Sequence, residues 1–591
     1  MSLLTKIDAF LDERTGYRNL LRHALDEPVK GGSRWAYVFG SALAATFIGQ
    51  VVTGLALMTS YAPSDKTAWA SVHYITFKQS GGWLLRGIHH FGAQAMVILL
   101  GVHMLQVATF GAYKKPRELT WWLGLALLAT TIGFALTGYL LPWDQKGYWA
   151  TRVATNIAGT VPIVGTATQQ LLQGGNEYGS LTLTRFYALH VGVLPATLAL
   201  LLVAHVALFR KHGVTPSPQA ELSRVEPFFP NQLLKDVAAA VVVAIVVIVL
   251  AWNEHGAPLD APADPSSDYP ARPEWYFLAL FQMLKYFHGP LEVVGTIVLP
   301  SLVGAYFFAL PLFDRKPSTA LRPRLLVLAP VLAVAAGIIV LTLVAKRDDA
   351  GDVGFQKERV KADERAEAAN RIAMAGVPPE GPLAMMKSAP ELRGPELFDK
   401  SCAGCHMLGD HGVDKDRTAP KLDGWGTEKW ALAMLHDPDA DDHFGRTTYK
   451  GEMPSVDIAP KDAPKTWKPM AEDDKRAVAA FLASQGDDPK DPKRDAALLA
   501  KGKSIVTTRC TTCHLFGGEG DDGGEGLAPE LSGWGSVAWV RAQIANPSSK
   551  ATYREHALDA ARKGHMPRFD QELQPQDLDL LAGWVRSAAR K

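Results

Sequence analysis

Residues 86–103 read RGIHHFGAQAMVILLGVH, and residues 190–205 read HVGVLPATLALLLVAH. His89 and His103 are 14 residues apart in the first stretch, and His190 and His205 are 15 apart in the second. At about 100° per residue these gaps fall about 40° short of four helical turns and about 60° past them. Each pair therefore shares a helix face, its members roughly 21 to 23 Å apart along the axis. A lone histidine in an apolar helix is ordinarily a hydrogen-bonding core residue, but four in this register are not. Two such helices side by side offer two bis-histidine sites, one near each bilayer surface. That is the geometry for two stacked haems carrying electrons across a membrane. His90 has no partner at this spacing and reads as structural.

Working outward, the 591-residue chain is too long for one ordinary domain. Its net charge of +1 gives no reason to expect a nucleic-acid partner. The average conceals a split. Long apolar runs fill roughly the first 345 residues, and the remainder is rich in Lys, Asp, Glu, Gly and Pro. The expected fold is all-α: a seven-helix transmembrane bundle followed by two small α-helical domains. The expected spans are 34–60, 84–110, 118–141, 183–210, 233–252, 293–313 and 323–345, each near the length that crosses about 30 Å of hydrocarbon. The resulting segments are an amphipathic stretch at 1–33, a four-helix part at 34–215, a three-helix part at 216–345, an exposed, partly helical linker at 346–390, and two soluble domains at 391–486 and 487–591. The N-terminal MSLLTKIDAFLDERTGYRNLLRH is too polar for a signal-peptide core, so targeting is expected to rest on the first span.

Positive charge orients the bundle. Arg14, Arg18, Arg22, Lys30 and Arg34 precede the first span. Lys114, Lys115 and Arg117 follow the second; Arg210, Lys211 and Lys235 follow the fourth; Arg315, Lys316, Arg322 and Arg324 follow the sixth. All fall on one side if the N-terminus is cytoplasmic, and an odd number of spans then puts the C-terminal part on the outer face of a bacterial inner membrane. Covalent haem attachment on that outer face agrees with this.

All four cysteines fall in two CxxCH units, Cys402–Cys405–His406 and Cys510–Cys513–His514. In this unit two thioethers hold a haem and the histidine ligates its iron. A redox dithiol is the alternative, and the trailing histidine in both copies speaks against it. No cysteine is left for a disulfide or a cysteine-ligated iron–sulfur cluster. The units head an internal repeat. CAGCH, APKLDGWG, KWALAMLHDP and GEMP recur as CTTCH, APELSGWG, AWVRAQIANP and GHMP.

Both copies resemble class I cytochrome c domains. The resemblance implies a methionine as sixth iron ligand, which fits Met453 and Met566, with His565 as a possible rival to Met566. The membrane part resembles cytochrome b of Rieske/cytochrome b quinol-oxidising complexes over roughly residues 30–345. The resemblance rests on RGIHHFGAQ (86–94), KKPRELTW (114–121), GYLLPWDQKGYWA (138–150), LTRFYALH (183–190) and PEWYF (273–277). The 15-residue spacing and the seven spans resemble the photosynthetic cytochrome bf form, with its cytochrome b and subunit IV fused. The resemblance implies that His89 pairs with His190 at the outer haem and His103 with His205 at the inner one. Gly40 and Gly54, and Gly124 and Gly138, are each 14 apart. They would let the porphyrins lie against neighbouring helices, although generic helix packing also uses glycine.

The resemblance places Glu274 at an outer quinol-oxidation site, where it would take a hydroxyl proton and pass it outward. A carboxylate in an apolar pocket titrates nearer working pH, which suits that task. Pro273, Trp275, Tyr276, Pro142, Trp143 and Asp144 would build the same pocket, and Arg86 would meet a haem propionate or serve as a surface anchor. Arg210 and Lys211 would line a cytoplasmic quinone site or act only as positive-inside charges. The photosynthetic form carries an extra haem on a cysteine of the first span, where this chain has Val38 in WAYVFGSAL. No thioether can form there, leaving only a non-covalent extra haem open.

The expected cofactors are two non-covalent b-type haems and two covalent c-type haems, with quinol and quinone as substrates. The implied activity is quinol:cytochrome c-type oxidoreduction with bifurcated electron transfer and proton translocation in a respiratory chain. The expected partners are a separate Rieske iron–sulfur protein, the quinone pool, a downstream cytochrome c or oxidase, membrane lipid and a second copy in a homodimeric complex. The alternative is a b/c-haem relay serving a dehydrogenase or reductase without bifurcation. PEWY and PWDQ argue against it, because a relay needs no such pocket.

Overall fold

The computed structural model describes residues 3–459, 465, 468–486, 495–518, 528–553 and 566–590. It divides into two compact units, Met1–Leu383 and Ala384–Lys591.

The first unit holds seven helices long and apolar enough to cross a membrane: Phe39–Met58, Gly82–Phe110, Glu118–Leu140, Ser180–His212, Phe228–Asn253, Val294–Phe313 and Arg322–Gly351. A helix satisfies its own backbone hydrogen bonds, which is what lets such apolar runs leave water. The first span packs on the second, the third on the fourth, and the fifth lies against both the first and the second. An antiparallel pair, Pro28–Lys30 with Val225–Pro227, ties the N-terminal segment to the chain after the fourth span, with Val29 opposite Glu226.

The fourth span explains the unequal histidine spacing. Its residues Leu189–Val193 form one wide π turn, and Pro195 opens the regular helix that follows. A proline ring clashes with the carbonyl four residues back, here that of Val191, and a wide turn relieves the clash by taking in one extra residue. Fifteen residues then cover what fourteen cover in the second span.

Residues 346–390 depart from an exposed linker. The seventh span ends at Gly351, and a helix at Val353–Ala373 packs on the helix Ala68–Phe77. Ala366, Ala369 and Ala373, spaced along one helical face, are buried. Small side chains allow this close approach. His73 Nε2 lies 3.0 Å from the Asn370 carbonyl, and Asn370 Nδ2 donates to the Leu259 carbonyl at 2.9 Å.

In the second unit each repeat supplies a helix before its CxxCH (Pro390–Ser401; Ala496–Ile505), a middle helix (Glu428–His436; Val537–Ala545) and a trailing helix (Glu472–Gln485; Pro575–Ala588). The repeats do not each close on themselves. The first repeat's leading helix packs on the second repeat's trailing helix, and the second repeat's leading helix packs on the first repeat's trailing helix. One core joins Leu397, Phe398, Cys402 and Leu408 to Val540, Ile544, Leu578 and Leu581. The other joins Leu435, Val478 and Phe481 to Val506 and Leu531. The boundary expected near residue 486 therefore separates sequence repeats and not packed cores. The two copies place apolar residues at equivalent positions, so either partner satisfies the same pattern.

Candidate functional sites

The second and fourth spans bring His89 and His190 face to face, with ring centres 6.4 Å apart and planes at 71°. Two imidazoles bound from opposite sides of one metal through about 2 Å bonds hold their ring centres a little over 6 Å apart. The pair therefore fits two axial ligands of one iron.

Both rings are held the same way. Thr53 gives its hydroxyl proton to the Gly49 carbonyl (2.7 Å) and lies 2.9 Å from His89 Nδ1. Thr137 gives its proton to the Gly133 carbonyl (2.8 Å) and lies 3.1 Å from His190 Nδ1. A threonine oxygen whose proton is committed must accept, so each Nδ1–H donates. Each Nε2 then keeps its lone pair for a metal.

Glycines adjoin all four rings. A Cβ on Gly54 would come 3.2 Å from His89 Cε1, and one on Gly138 would come 2.6 Å from His190 Cε1. At the other level, a Cβ on Gly40 would lie 3.3 Å from His103 Cε1 and one on Gly124 3.4 Å from His205 Cε1. His103 Nδ1 lies 3.3 Å from Gln106 Oε1. Four glycines, each opposite a histidine ring, form the cradle that a planar macrocycle at each level needs.

A cavity of about 810 Å³ runs from His89 and His190 past Tyr139 to Lys146, Glu274 and Tyr276. Pro142, Asp144, Pro273 and Trp275 also line it. Glu274 Oε1 accepts from Lys146 Nζ at 2.7 Å. Trp275 Nε1 donates to Gln94 Oε1 (3.2 Å), and Gln94 Nε2 lies 2.8 Å from His90 Nε2. Gln94 thus ties the PEWY segment to the second span, and His90, one turn earlier on that span, holds Gln94 in place. Arg86 gives its guanidinium to Thr76 Oγ1 and to the Ala257 and Pro258 carbonyls, at 3.1, 2.7 and 2.6 Å.

The turn carrying Asp144 is stitched to the loop before PEWY. Gln145 N–H donates to the Ala261 carbonyl (2.9 Å) and Ala263 N–H to that of Trp143 (3.1 Å). Trp143 sits at φ 52°, a region that costs a non-glycine residue of order 1–3 kcal/mol and persists only where surroundings impose it. Asp144 caps the helix Gln145–Gly159 by accepting from Gly147 N–H at 2.8 Å. Burial, with the nearby Asp260 carboxylate adding to it, pushes Asp144 up to about 6. Asp260 is also raised by burial, and it accepts from Tyr269 Oη at 2.6 Å.

Reading the sequence alone misses Thr53, Thr137, Lys146 and the cavity-lining residues Phe355, Gln356, Arg359 and Asp363. The sequence does carry a signal for the first three: a threonine directly precedes Gly54 and Gly138, and Lys146 directly follows PWDQ.

In the second unit, each CxxCH is a single turn. His406 N–H donates to the Cys402 carbonyl (2.9 Å) and His514 N–H to that of Cys510 (2.8 Å). Each histidine places Nδ1 2.8 Å from a proline carbonyl, Pro420 for His406 and Pro529 for His514. A carbonyl can only accept, so Nε2 is again the free nitrogen. Cys402, Cys405, Cys510 and Cys513 are in no disulfide. Met566 packs against the core containing Cys402, and Met453 against the core beside Cys510. His565 lies outside the described residues.

Three family models match in order. That described as "Cytochrome b/b6/petB" covers residues 25–213, "Cytochrome b(C-terminal)/b6/petD" covers 262–354, and "Cytochrome c" matches twice, over 392–486 and 499–589. The chain is 34% identical over 329 residues to a "Cytochrome bc complex cytochrome b subunit" of Chlorobaculum thiosulfatiphilum, covering 54% of this chain and 74% of the relative. It is 39% identical over 212 residues to "Cytochrome b6" of Oltmannsiellopsis viridis, covering 36% of this chain and 99% of that protein. A solved structure titled "Hyperthermophilic respiratory Complex III" matches with a TM-score of 0.50 at 27% identity, over 62% of this chain and 97% of that one.

Proposed function

The chain belongs to the cytochrome b/b6 family of cytochrome bc complexes, with cytochrome c domains on the same polypeptide, and on that premise we propose that it is the cytochrome b–dihaem cytochrome c subunit of a bacterial quinol:cytochrome c-type oxidoreductase. The observation that carries this reading is the continuous cavity from the outer histidine pair to Glu274. A relay without quinol chemistry needs no carboxylate at the end of such a cavity.

His89 with His190, and His103 with His205, would hold two b-type haems. Cys402, Cys405 and His406, and Cys510, Cys513 and His514, would hold two c-type haems, with Met453 and Met566 as sixth ligands. When bound, these haems supply the one-electron carriers of the chain. Gly40, Gly54, Gly124 and Gly138 leave room for the flat groups.

Quinol enters the outer cavity between Tyr276, Pro273, Trp275 and Tyr139. Glu274 accepts a hydroxyl proton, and the ammonium of Lys146 steadies the carboxylate before it does so. Asp144, Asp260 and Tyr269 line the same cavity as Glu274 and would provide groups for the proton's exit. Quinol's two electrons divide, one to a separate Rieske iron–sulfur protein and one across the membrane toward a cytoplasmic quinone. The Rieske cluster must sit on another chain, because every cysteine here belongs to a CxxCH unit. Proton release outside and uptake inside translocate charge. The C-terminal unit then hands electrons to a downstream cytochrome c or oxidase, in an inner-membrane complex with its N-terminus cytoplasmic and two copies of the chain. Lys114, Arg117, Arg315 and Arg324, all at the ends of spans assigned to that side, support this orientation.

Purified complex tests the reading. Quinol-dependent reduction of a c-type acceptor should fall about 100-fold or more with Glu274→Gln and be lost on removing the Rieske subunit. Activity surviving both changes overturns bifurcation, and a haemochrome ratio far from two b to two c overturns the cofactor count.

A further inference from the structure

The exchanged packing of the second unit bears on which methionine serves which haem. The leading helices and CxxCH units of the two repeats align at an offset of 108 residues, so Arg393 corresponds to Lys501 and Gly394 to Gly502; the trailing helices align at an offset of 103, so Asp474 corresponds to Asp577 and Phe481 to Trp584. Had each repeat closed on itself, Arg393 would face Asp474 and Lys501 would face Asp577. The structure has the reverse. Arg393 Nε lies 3.2 Å from Asp577 Oδ1, and Lys501 Nζ lies 2.7 Å from Asp474 Oδ1.

The glycines repeat the pattern. A Cβ on Gly394 would collide with the Trp584 side chain, and one on Gly502 would come 2.7 Å from Phe481 Cβ. These are close helix–helix contacts that only glycine permits. The crossing point is at the two Gly-Trp-Gly loops. Gly424, Gly426, Gly533 and Gly535 all have φ between 68° and 78°. Trp425 and Trp534 meet between them, with ring centres 5.2 Å apart.

The methionines follow the exchange. Met566 of the second repeat packs on the core that contains Cys402, Leu408 and Phe398 of the first. Met453 of the first repeat packs on the core that contains Val506 and Leu531 of the second, against which Cys510 also packs. We propose that each c-type haem takes its two axial ligands from different repeats: His406 with Met566, and His514 with Met453. The proposal rests on the reading that both CxxCH units carry haem. Neither repeat can then complete a haem pocket alone, and the two centres form one interlocked unit.

The test uses the full-length protein. With Cys510→Ala and Cys513→Ala, only the haem on Cys402 and Cys405 remains covalently held. Adding Met566→Leu should remove the charge-transfer absorption that marks methionine sulfur on ferric haem, and Met453→Leu should leave it. With Cys402→Ala and Cys405→Ala the roles should reverse. The opposite pattern in either background overturns the proposal.

A second measurement does not depend on ligation. In the otherwise unaltered chain, a short bis-maleimide should join Arg393→Cys to Asp577→Cys, and Lys501→Cys to Asp474→Cys, within one molecule. It should not join Arg393→Cys to Asp474→Cys or Lys501→Cys to Asp577→Cys, and crosslinking of these latter pairs alone overturns the exchange. Absence of covalent haem would count against the cofactor reading, and the crosslinks would still read the pairing of the helices.

Discussion

Lys146 Nζ and Glu274 Oε1 meet at 2.7 Å across 128 residues of sequence, joining the PWDQK turn to the PEWY turn at one wall of the cavity. Glu274 is the more buried partner, its side chain 12% exposed against 31% for Lys146. The lysine is thus the group that fixes where the carboxylate points. We predict that Lys146→Met lowers quinol oxidation roughly 10- to 100-fold through misplacement of Glu274. Glu274→Gln should lower it by about 100-fold or more, the scale of a lost proton acceptor. Steady-state quinol turnover in purified complex checks both, and a Lys146→Met variant with unaltered kcat and KM would show that the ion pair is dispensable.

His89 and His190 depend on threonines that the first and third spans present to them. Thr53→Val and Thr137→Val keep the shape and remove the acceptor that each Nδ1–H uses. Loss of such a supporting partner typically costs about 10- to 100-fold in affinity for the bound metal group. The predicted result is weaker retention of one b-type haem and a shifted midpoint potential for it, with the other unchanged. Redox titration with optical detection resolves the two, and a shift of equal size in both would sink the assignment of these threonines to one level.

The four cradle glycines should not tolerate alanine equally. In a plain helix, alanine is favoured over glycine by about 1 kcal/mol. Here a Cβ at Gly138 would lie 2.6 Å from His190 Cε1, against 3.2, 3.3 and 3.4 Å at Gly54, Gly40 and Gly124. Gly138→Ala is therefore predicted to lose b-type haem outright, and Gly124→Ala to keep most of it. Haem content per chain after purification gives the order, and full haem in Gly138→Ala would refute the packing argument.

Much of this molecule is legible in its sequence because the membrane imposes strong periodicity. The seven apolar runs, the paired histidines and the two CxxCH units can be read without a structure, and the family matches support the fold and the relationship. Three features could not be read, each for a physical reason. The π turn at Leu189–Val193 hides in an apolar run, and only Pro195 hints that the helix must widen there. The helix Val353–Ala373 is rich in charged residues, so its buried stripe consists of alanines that do not stand out as apolar. The exchange of the cytochrome c repeats is invisible because Arg393 and Lys501 are both cations and Asp474 and Asp577 both carboxylates, so either pairing of the helices satisfies them.

Asp144 gives the site a pH signature. Its carboxyl is ordinarily at 3.8 and is raised to about 6 in the folded chain by burial and by Asp260. Across that interval the folded state holds a proton that the unfolded chain has released. The stability it confers is full below the ordinary value and falls as pH rises through about 6. Asp144→Asn keeps a neutral side chain that can still accept from Gly147 N–H, so it should flatten this slope. Thermal midpoints of the detergent-solubilised protein between about pH 4 and pH 7 make the comparison. An equally steep decline in the variant would place the titrating group elsewhere.

On the side assigned to the cytoplasm, Asp314 is the shared anion of a buried cluster. It accepts from Tyr113 Oη at 2.6 Å, from Arg324 Nε at 2.8 Å and from Lys114 Nζ. Arg324 also donates to the carbonyls of Ala108 and Thr109, the end of the second span. This cluster fastens the four-helix part to the three-helix part, which a covalent connection alone does not do. Removing one partner of a buried ion pair leaves an uncompensated charge and costs about 3–5 kcal/mol. Asp314→Leu leaves two buried cations and should destabilise the bundle by that order. Asp314→Leu combined with Arg324→Met and Lys114→Met removes the stranded charges and should recover a large part of the loss. The decisive comparison is the thermal midpoint of the triple variant against the single one. If the triple variant is the less stable, the cluster contributes through its hydrogen bonds to the second span and not through charge balance.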